Sequence, residues 1–236
     1  EIIGAQPIRG RHMNMESFYE YGSRRGFWRI HDLFQEKNIP LTIFGVGMAL
    51  ERNQDVCNII KKANYEIASH GWRWIDYQNV PKAVEKKHMK FAIQSIKKIF
   101  GQRPLGWYTG RCSPNTRDLV MEEGGFLYDS DSYSDDLPYW EIRGKSKQLI
   151  IPYTLDNNDM RFATNQGFNC GDQFYTYLKD SFDTLYNEGK TAPKMMSVGL
   201  HCRLIGRPGR IQSLRKFLDY VLKHDDIWIC KRIDIA

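Results

Sequence analysis

What most constrains this chain is an alternation along its length. Short, continuous apolar runs are separated by stretches whose apolar residues recur at helical spacing. Residues 41–44 form one such run, closed by Gly45 and Gly47, and others lie at 65–69, 105–109, 126–128, 149–154, 195–200 and 227–230. Between them, residues 15–37, 50–63, 81–100, 115–123, 172–188 and 210–223 carry the helical period, several ended by Gly or by Asn-Ile-Pro. Strands that are apolar throughout are buried on both faces. Such strands, separated by helices, build a parallel sheet with helices covering it. The expected class is α/β, as a barrel or a doubly wound sheet.

At 236 residues, a folded chain buries about 73% of its unfolded surface, so one core suffices without disulfide or metal staples. The expectation is one domain over residues 1–236. Hydrophobic residues at 42% and charged residues at 26% exclude disordered, collagen-like and coiled-coil chains. No apolar run approaches the ~18 residues of a membrane helix. Cys57, Cys112, Cys170, Cys202 and Cys230 are odd in number and never form a Cys-x-x-Cys pair. Free thiols in a reducing, cytoplasmic setting are therefore expected. The formal charge is +6, but Lys86-Lys87, Lys97-Lys98 and residues 207–210 are separated by acidic or apolar sequence. They read as solvated helix faces, so neither nucleic acid nor membrane is an expected partner.

In parallel α/β folds, ligands bind at the carboxyl ends of the strands. The polar residues of this chain cluster there. The sets are His70-Gly71-Trp72-Arg73-Trp74, Thr109-Gly110-Arg111, Asp129-Ser130-Asp131, Asp156-Asn157-Asn158-Asp159 and His201-Cys202-Arg203. Loops are polar in any protein, yet five such sets on one rim favour a shared cleft. His201, after the apolar run at 198–200, is placed to shuttle protons near neutral pH; a hydrogen-bonded structural histidine is the plain alternative. His70 has the same placement and could be a ligand, an acid–base group or a rim residue. No two histidines stand four apart, and the residue four after His70 is Trp74, whose indole nitrogen only donates. Trp72 and Trp74 either wall a pocket or pack in the core. Arg111 could pair with a protein carboxylate or grip a substrate; of Asp129, Asp131, Asp135 and Asp136, some are expected as caps or solvated loop residues, while one could orient Arg111 or a catalytic base.

These strand-end sets resemble, in order, the motifs of the polysaccharide deacetylase (NodB-homology, carbohydrate esterase family 4-like) superfamily, over essentially the whole chain. The family's His-Ser/Thr-x-x-His metal motif appears as residues 70–74 with Trp74 in place of the second histidine. Its Arg-x-Pro-Tyr motif appears as Arg111-Cys112-Ser113-Pro114-Asn115, its Asp-rich motif as Asp129-Ser130-Asp131, and its Leu-x-His motif as Gly199-Leu200-His201. Residues 16–24, 70–77, 106–111, 156–162 and 195–203 look closer still to the metal-independent allantoinase branch, whose members are often named chitin deacetylases.

The resemblance implies a distorted (β/α) barrel lacking its first strand, because the acidic motif that carries the family's base would lie before Glu1. It implies a hydrolase of amide bonds, opening the ring of allantoin or removing acetyl groups from a chitin oligomer. No metal is expected for the first reaction and a divalent metal such as zinc for the second. The implied catalytic residues are His201, as acid, and His70, as substrate or oxyanion contact. Trp74, Arg111, Asn158, Asp159, Glu20 and Trp72 are the implied substrate-binding residues. A homo-oligomer is expected.

Overall fold

The computed structural model describes residues 10–236. The expectation that no strand followed by Asp-Asp stands in residues 1–11 lies, for residues 1–9, outside the described residues. Contacts divide the chain into two compact units, each assembled from separate stretches. One holds the residues up to Asn38 with Thr154–Trp228, the other Ile39–Tyr153 with Ile229–Ala236.

The second unit is a helix-covered sheet. Its strands are β1 (Thr42–Gly45), β2 (Glu66–Ser69), β3 (Gly106–Trp107), β4 (Tyr128–Asp129), β5 (Tyr139–Arg143) and β6 (Ser146–Ile150), in the order β1-β2-β3-β4-β6-β5. All neighbours pair parallel except the edge hairpin β5–β6. Gly45, Ser69, Trp107, Asp129 and Ile150 stand in register across the sheet. The residues that follow them therefore leave the sheet along one edge, which brings His70, Tyr108 and Thr109, and Ser130 and Asp131 together. The covering helices are α3 (Gly47–Glu51), α4 (Gln54–Lys62), α5 (Lys82–Phe100) and α6 (Thr116–Glu123). Met89 and Ala92 of α5 pack with Trp107, Leu119, Val120 and Phe126 in one buried cluster. Side chains such as Met89 and Leu119 each contribute about 1.5–3 kcal/mol of hydrophobic stabilisation there.

The first unit is helical: α1 (Met13–Tyr21), a π-helical turn (Gly22–Gly26), α2 (Phe27–Lys37), α7 (Gly171–Glu188) and α8 (Pro208–Val221), with a 3-10 turn at Asp159–Ala163. Phe27, Ile30, Leu33 and Phe34 form the buried face of α2, and Phe174, Leu178, Leu214 and Phe217 those of α7 and α8. Asn38, in the left-handed region at φ 53°, ends α2 where the sequence predicts a stop.

Four expectations change. The helix over 15–37 is interrupted by the π turn, and that over 50–63 breaks after Arg52, with Asn53 capping α4 through its side chain. Residues 195–200 form no strand, only a single bridge from Gly199 to Asn158. Residues 227–230 join no ladder. The sequence also missed β5, whose Trp140 and Ile142 lie exposed on the sheet edge, because an edge strand carries no buried apolar run.

Candidate active site

In the helical unit, the chain enters His201 from the Gly199 bridge and meets the 3-10 turn that begins at Asp159. Asp159 is fully buried. Its Oδ1 accepts from His201 Nδ1 at 2.6 Å, and its Oδ2 from the backbone N–H groups of His201 at 2.8 Å and Ile205 at 2.9 Å. The carboxylate thus fixes the ring and the loop behind it in one step. With Nδ1 committed, Nε2 is the nitrogen left for chemistry, and the Asp159 charge stands as counter-ion when the ring is an imidazolium. Asp159, an expected substrate contact, is spent on protein donors instead. Asn158 is likewise withdrawn: its Oδ1 caps the turn through Met160 N and its Nδ2 donates to Thr154 O. Glu20 sits exposed on α1, 3.8 Å from Arg24 one turn on.

In the sheet unit, His70 Nδ1 lies 2.8 Å from the carbonyl of Tyr108. A carbonyl only accepts, so Nδ1 carries the hydrogen and the neutral ring keeps its lone pair on Nε2. Neutral His70 therefore suits a substrate N–H; it can face an oxyanion only as an imidazolium. Its ring stacks on Tyr108 at 4.9 Å and 12°, with Phe44 and Trp74 beside it. Trp74 carries the Arg111 guanidinium over its face at 4.8 Å. The two are held in register because Tyr77 N donates to the Arg111 carbonyl. Trp72 does not join them; it packs against the Met89 cluster and edge-on to Phe91. Its expected pocket role gives way to a core one.

The acidic run resolves into distinct jobs. Asp131 accepts from the backbone N–H groups of Thr109 and Gly110 and from the Cys112 thiol, tying down the loop that presents Arg111. Asp129, fully buried, has Oδ2 2.8 Å from Arg117 Nη1, an ion pair rather than an aligned hydrogen bond. Burial pushes both carboxyl groups up, and Asp131 adds to the effect on Asp129. Burial also raises the Tyr108 and Cys112 groups, and Tyr133, whose hydroxyl meets that of Tyr108 at 2.9 Å, to about 12. Asp135 caps Leu137 N. The Arg111 guanidinium lies on Trp74, and its backbone carbonyl accepts from Tyr77 N.

All five cysteines are free thiols. The one beside His201, Cys202, is pushed up to about 11 by burial, so it is not poised as a thiolate nucleophile. The sheet unit thus presents His70 and Arg111 on loops that follow its strands, and the helical unit a His–Asp pair without an activated thiol beside it.

A profile described as polysaccharide deacetylase matches residues 15–122. A Schizosaccharomyces pombe protein described as a "Putative polysaccharide deacetylase" is 44% identical, across 98% of this chain and 77% of its own length. The crystal structure of a probable polysaccharide deacetylase from Pseudomonas aeruginosa PAO1 superposes with TM-score 0.96 at 58% identity, covering 100% of this chain and 79% of that one. That of a PuuE allantoinase gives 0.96 at 59%, covering 99% and 78%. The chain belongs to the polysaccharide deacetylase family. Its fold is that family's (β/α) barrel with the sheet left open, and it is an enzyme of the class that hydrolyses amide carbon–nitrogen bonds.

A divalent metal does not fit the described residues. The position four after His70 holds an indole, and the guanidinium stacked on it brings a fixed positive charge where a cation's ligand would stand. Among the described residues no group of three or more His, Cys, Asp and Glu side chains could hold a metal ion.

Proposed function

We propose that this chain is a metal-independent amidohydrolase that opens the cyclic amide of allantoin to allantoate. Water adds to the ring carbonyl carbon and gives a proton to His201 Nε2, the C–N bond breaks, and the departing nitrogen takes that proton from the imidazolium so formed. Asp159 holds that imidazole in the tautomer the step requires. Arg111, stacked on Trp74, offers a flat, cationic surface for a small polar ring rich in carbonyls. His70 Nε2 accepts from a ring N–H.

The observation that carries this reading is the Trp74–Arg111 stack. It puts planar recognition where a metal-dependent deacetylase needs a donor, and the 59% identity to an allantoinase structure supports the same choice. Purified full-length protein is expected to open allantoin in the presence of a chelator, followed as allantoate formed. Absence of turnover with and without added divalent metal overturns the reading.

A second reading, removal of N-acetyl groups from N-acetylglucosamine polymers such as chitin, draws support from the relatives described as polysaccharide deacetylases. It requires acetate release from chitin oligomers that chelation abolishes.

A further inference from the structure

We propose that the π-helical turn at Gly22–Gly26 is the seat that positions His201, so that Gly22 and Gly26 are positioning residues for the proton-transfer step. This deepens the reading of His201 as the acid and rests on it. A π turn closes with an N–H bonded five residues back, here Phe27 N to Gly22 O, and inserts one residue into the helix. The insertion breaks the helical face between α1 and α2 and turns two glycines toward the strand of backbone that carries His201.

The fit is backbone on backbone. A Cβ on Gly26 would stand 1.8 Å from the Cys202 carbonyl oxygen, and one on Gly22 3.0 Å from Arg203 N. Gly206 closes the seam: its Cβ would meet Cys202 O and Gly26 Cα, each at 2.4 Å. None of these glycines has a positive φ, so close approach and not backbone conformation excludes a side chain. The seam is bolted from both ends. Arg29 Nη1 donates to Gly206 O at 2.9 Å and also reaches Tyr21 OH; the Arg203 guanidinium lies 4.6 Å over Tyr19 and that of Arg207 3.5 Å over Tyr21. The loop itself is tight, with Leu204 N and Ile205 N both bonded to His201 O. Cys202, the residue that rests on Gly26, is the next link after His201. A shift there changes the distance between His201 Nδ1 and Asp159.

A graded alanine series tests this. Gly209 belongs to the same stretch of chain, but a Cβ there meets nothing within 4 Å, so Gly209→Ala is the control. With allantoin as substrate, kcat is expected to be unchanged in Gly209→Ala, to fall about 3- to 10-fold in Gly22→Ala and about 100-fold or more in Gly26→Ala, as displacements near 1 Å do at reacting centres. KM should stay within about twofold, because the Arg111–Trp74 surface is untouched.

A second readout needs no substrate: the downfield proton signal of the His201 Nδ1–H···Asp159 bond, assigned by its loss in His201→Gln. It is expected in the parent and in Gly209→Ala, shifted upfield in Gly22→Ala and broadened or lost in Gly26→Ala. Should Gly26→Ala fail to fold, Gly22→Ala decides. A folded Gly22→Ala with parental kcat and an unmoved signal overturns the proposal, as does a series in which activity falls only in step with melting temperature. If allantoin is not turned over, the functional reading fails while the proton signal still decides the seat.

Discussion

Asp159 holds three donors with two oxygens, and each of those contacts lies on the path to His201. Two substitutions separate its roles. Asp159→Asn keeps shape but presents an N–H where His201 Nδ1 needs an acceptor. The imidazole turns or changes tautomer, and kcat is expected to drop by about 10²–10⁴ with KM little changed. Steady-state kinetics on allantoin check this. Asp159→Ala removes the acceptor of the His201 backbone N–H, at about 1–3 kcal/mol, and leaves Ile205 N–H only its longer bond to His201 O. Its urea midpoint should fall clearly below that of Asp159→Asn. On the sheet side, Arg111→Lys keeps the charge but loses the flat guanidinium that lies on Trp74. A rise in KM of about tenfold, with kcat changed less, is the expected signature; equal loss in both parameters would assign Arg111 to the transition state instead.

At the scale of the element, β4 ends at the fully buried Asp129, with Asp131 two residues on and Arg117 Nη1 paired to Asp129 Oδ2 at 2.8 Å. Burial raises both carboxyls, Asp129 to about 7, so between the unfolded value near 4 and that range the folded state binds more protons than the unfolded one. Stability from this pair is therefore full below about pH 4 and is lost as pH rises towards 7. Asp129→Asn removes the titration. Its urea midpoint, compared with the parent, should improve on going from pH 5 to pH 8; a difference that does not move with pH refutes the assignment.

The pair also shows what the sequence could and could not tell. Strand-end placement marked Asp129 and Asp131 as a group, and a continuous apolar run marked β1 and β2, because burial on both faces leaves that signature. Which acid serves which partner was not legible: Asp131 uses backbone N–H groups, and backbone donors have no sequence code. His201 was found through the apolar run before it, although that run makes one bridge and no strand. Asp159 was marked as a rim residue expected to touch substrate; its bond to His201, 42 positions away, was not legible in the sequence. The π turn was hidden by a helical period that continues on both sides of it; two glycines four apart, enclosing only Ser23-Arg24-Arg25, were its one visible trace.

At the scale of the molecule, the +6 charge explains little. Many surface cations have acidic neighbours, as Lys82 and Lys86 have Glu122, and Arg215 has Glu36. Such exposed pairs are worth ~0–1 kcal/mol. The more telling whole-molecule property is metal content, because the family this chain belongs to spans proteins described by two different reactions. A deacetylase that relies on a divalent metal must hold it through purification or recover it on addition. A site recognising its substrate through Arg111, Trp74 and His70 gains nothing from one, and the Arg111 charge repels it. Elemental analysis of full-length protein is expected to find divalent metal far below one per chain, with allantoin turnover unchanged by chelator and by added zinc. A stoichiometric metal, together with acetate released from chitin oligomers and no allantoate, would transfer the protein to the deacetylase reading and leave Trp74 as a wall beside a metal held by other groups.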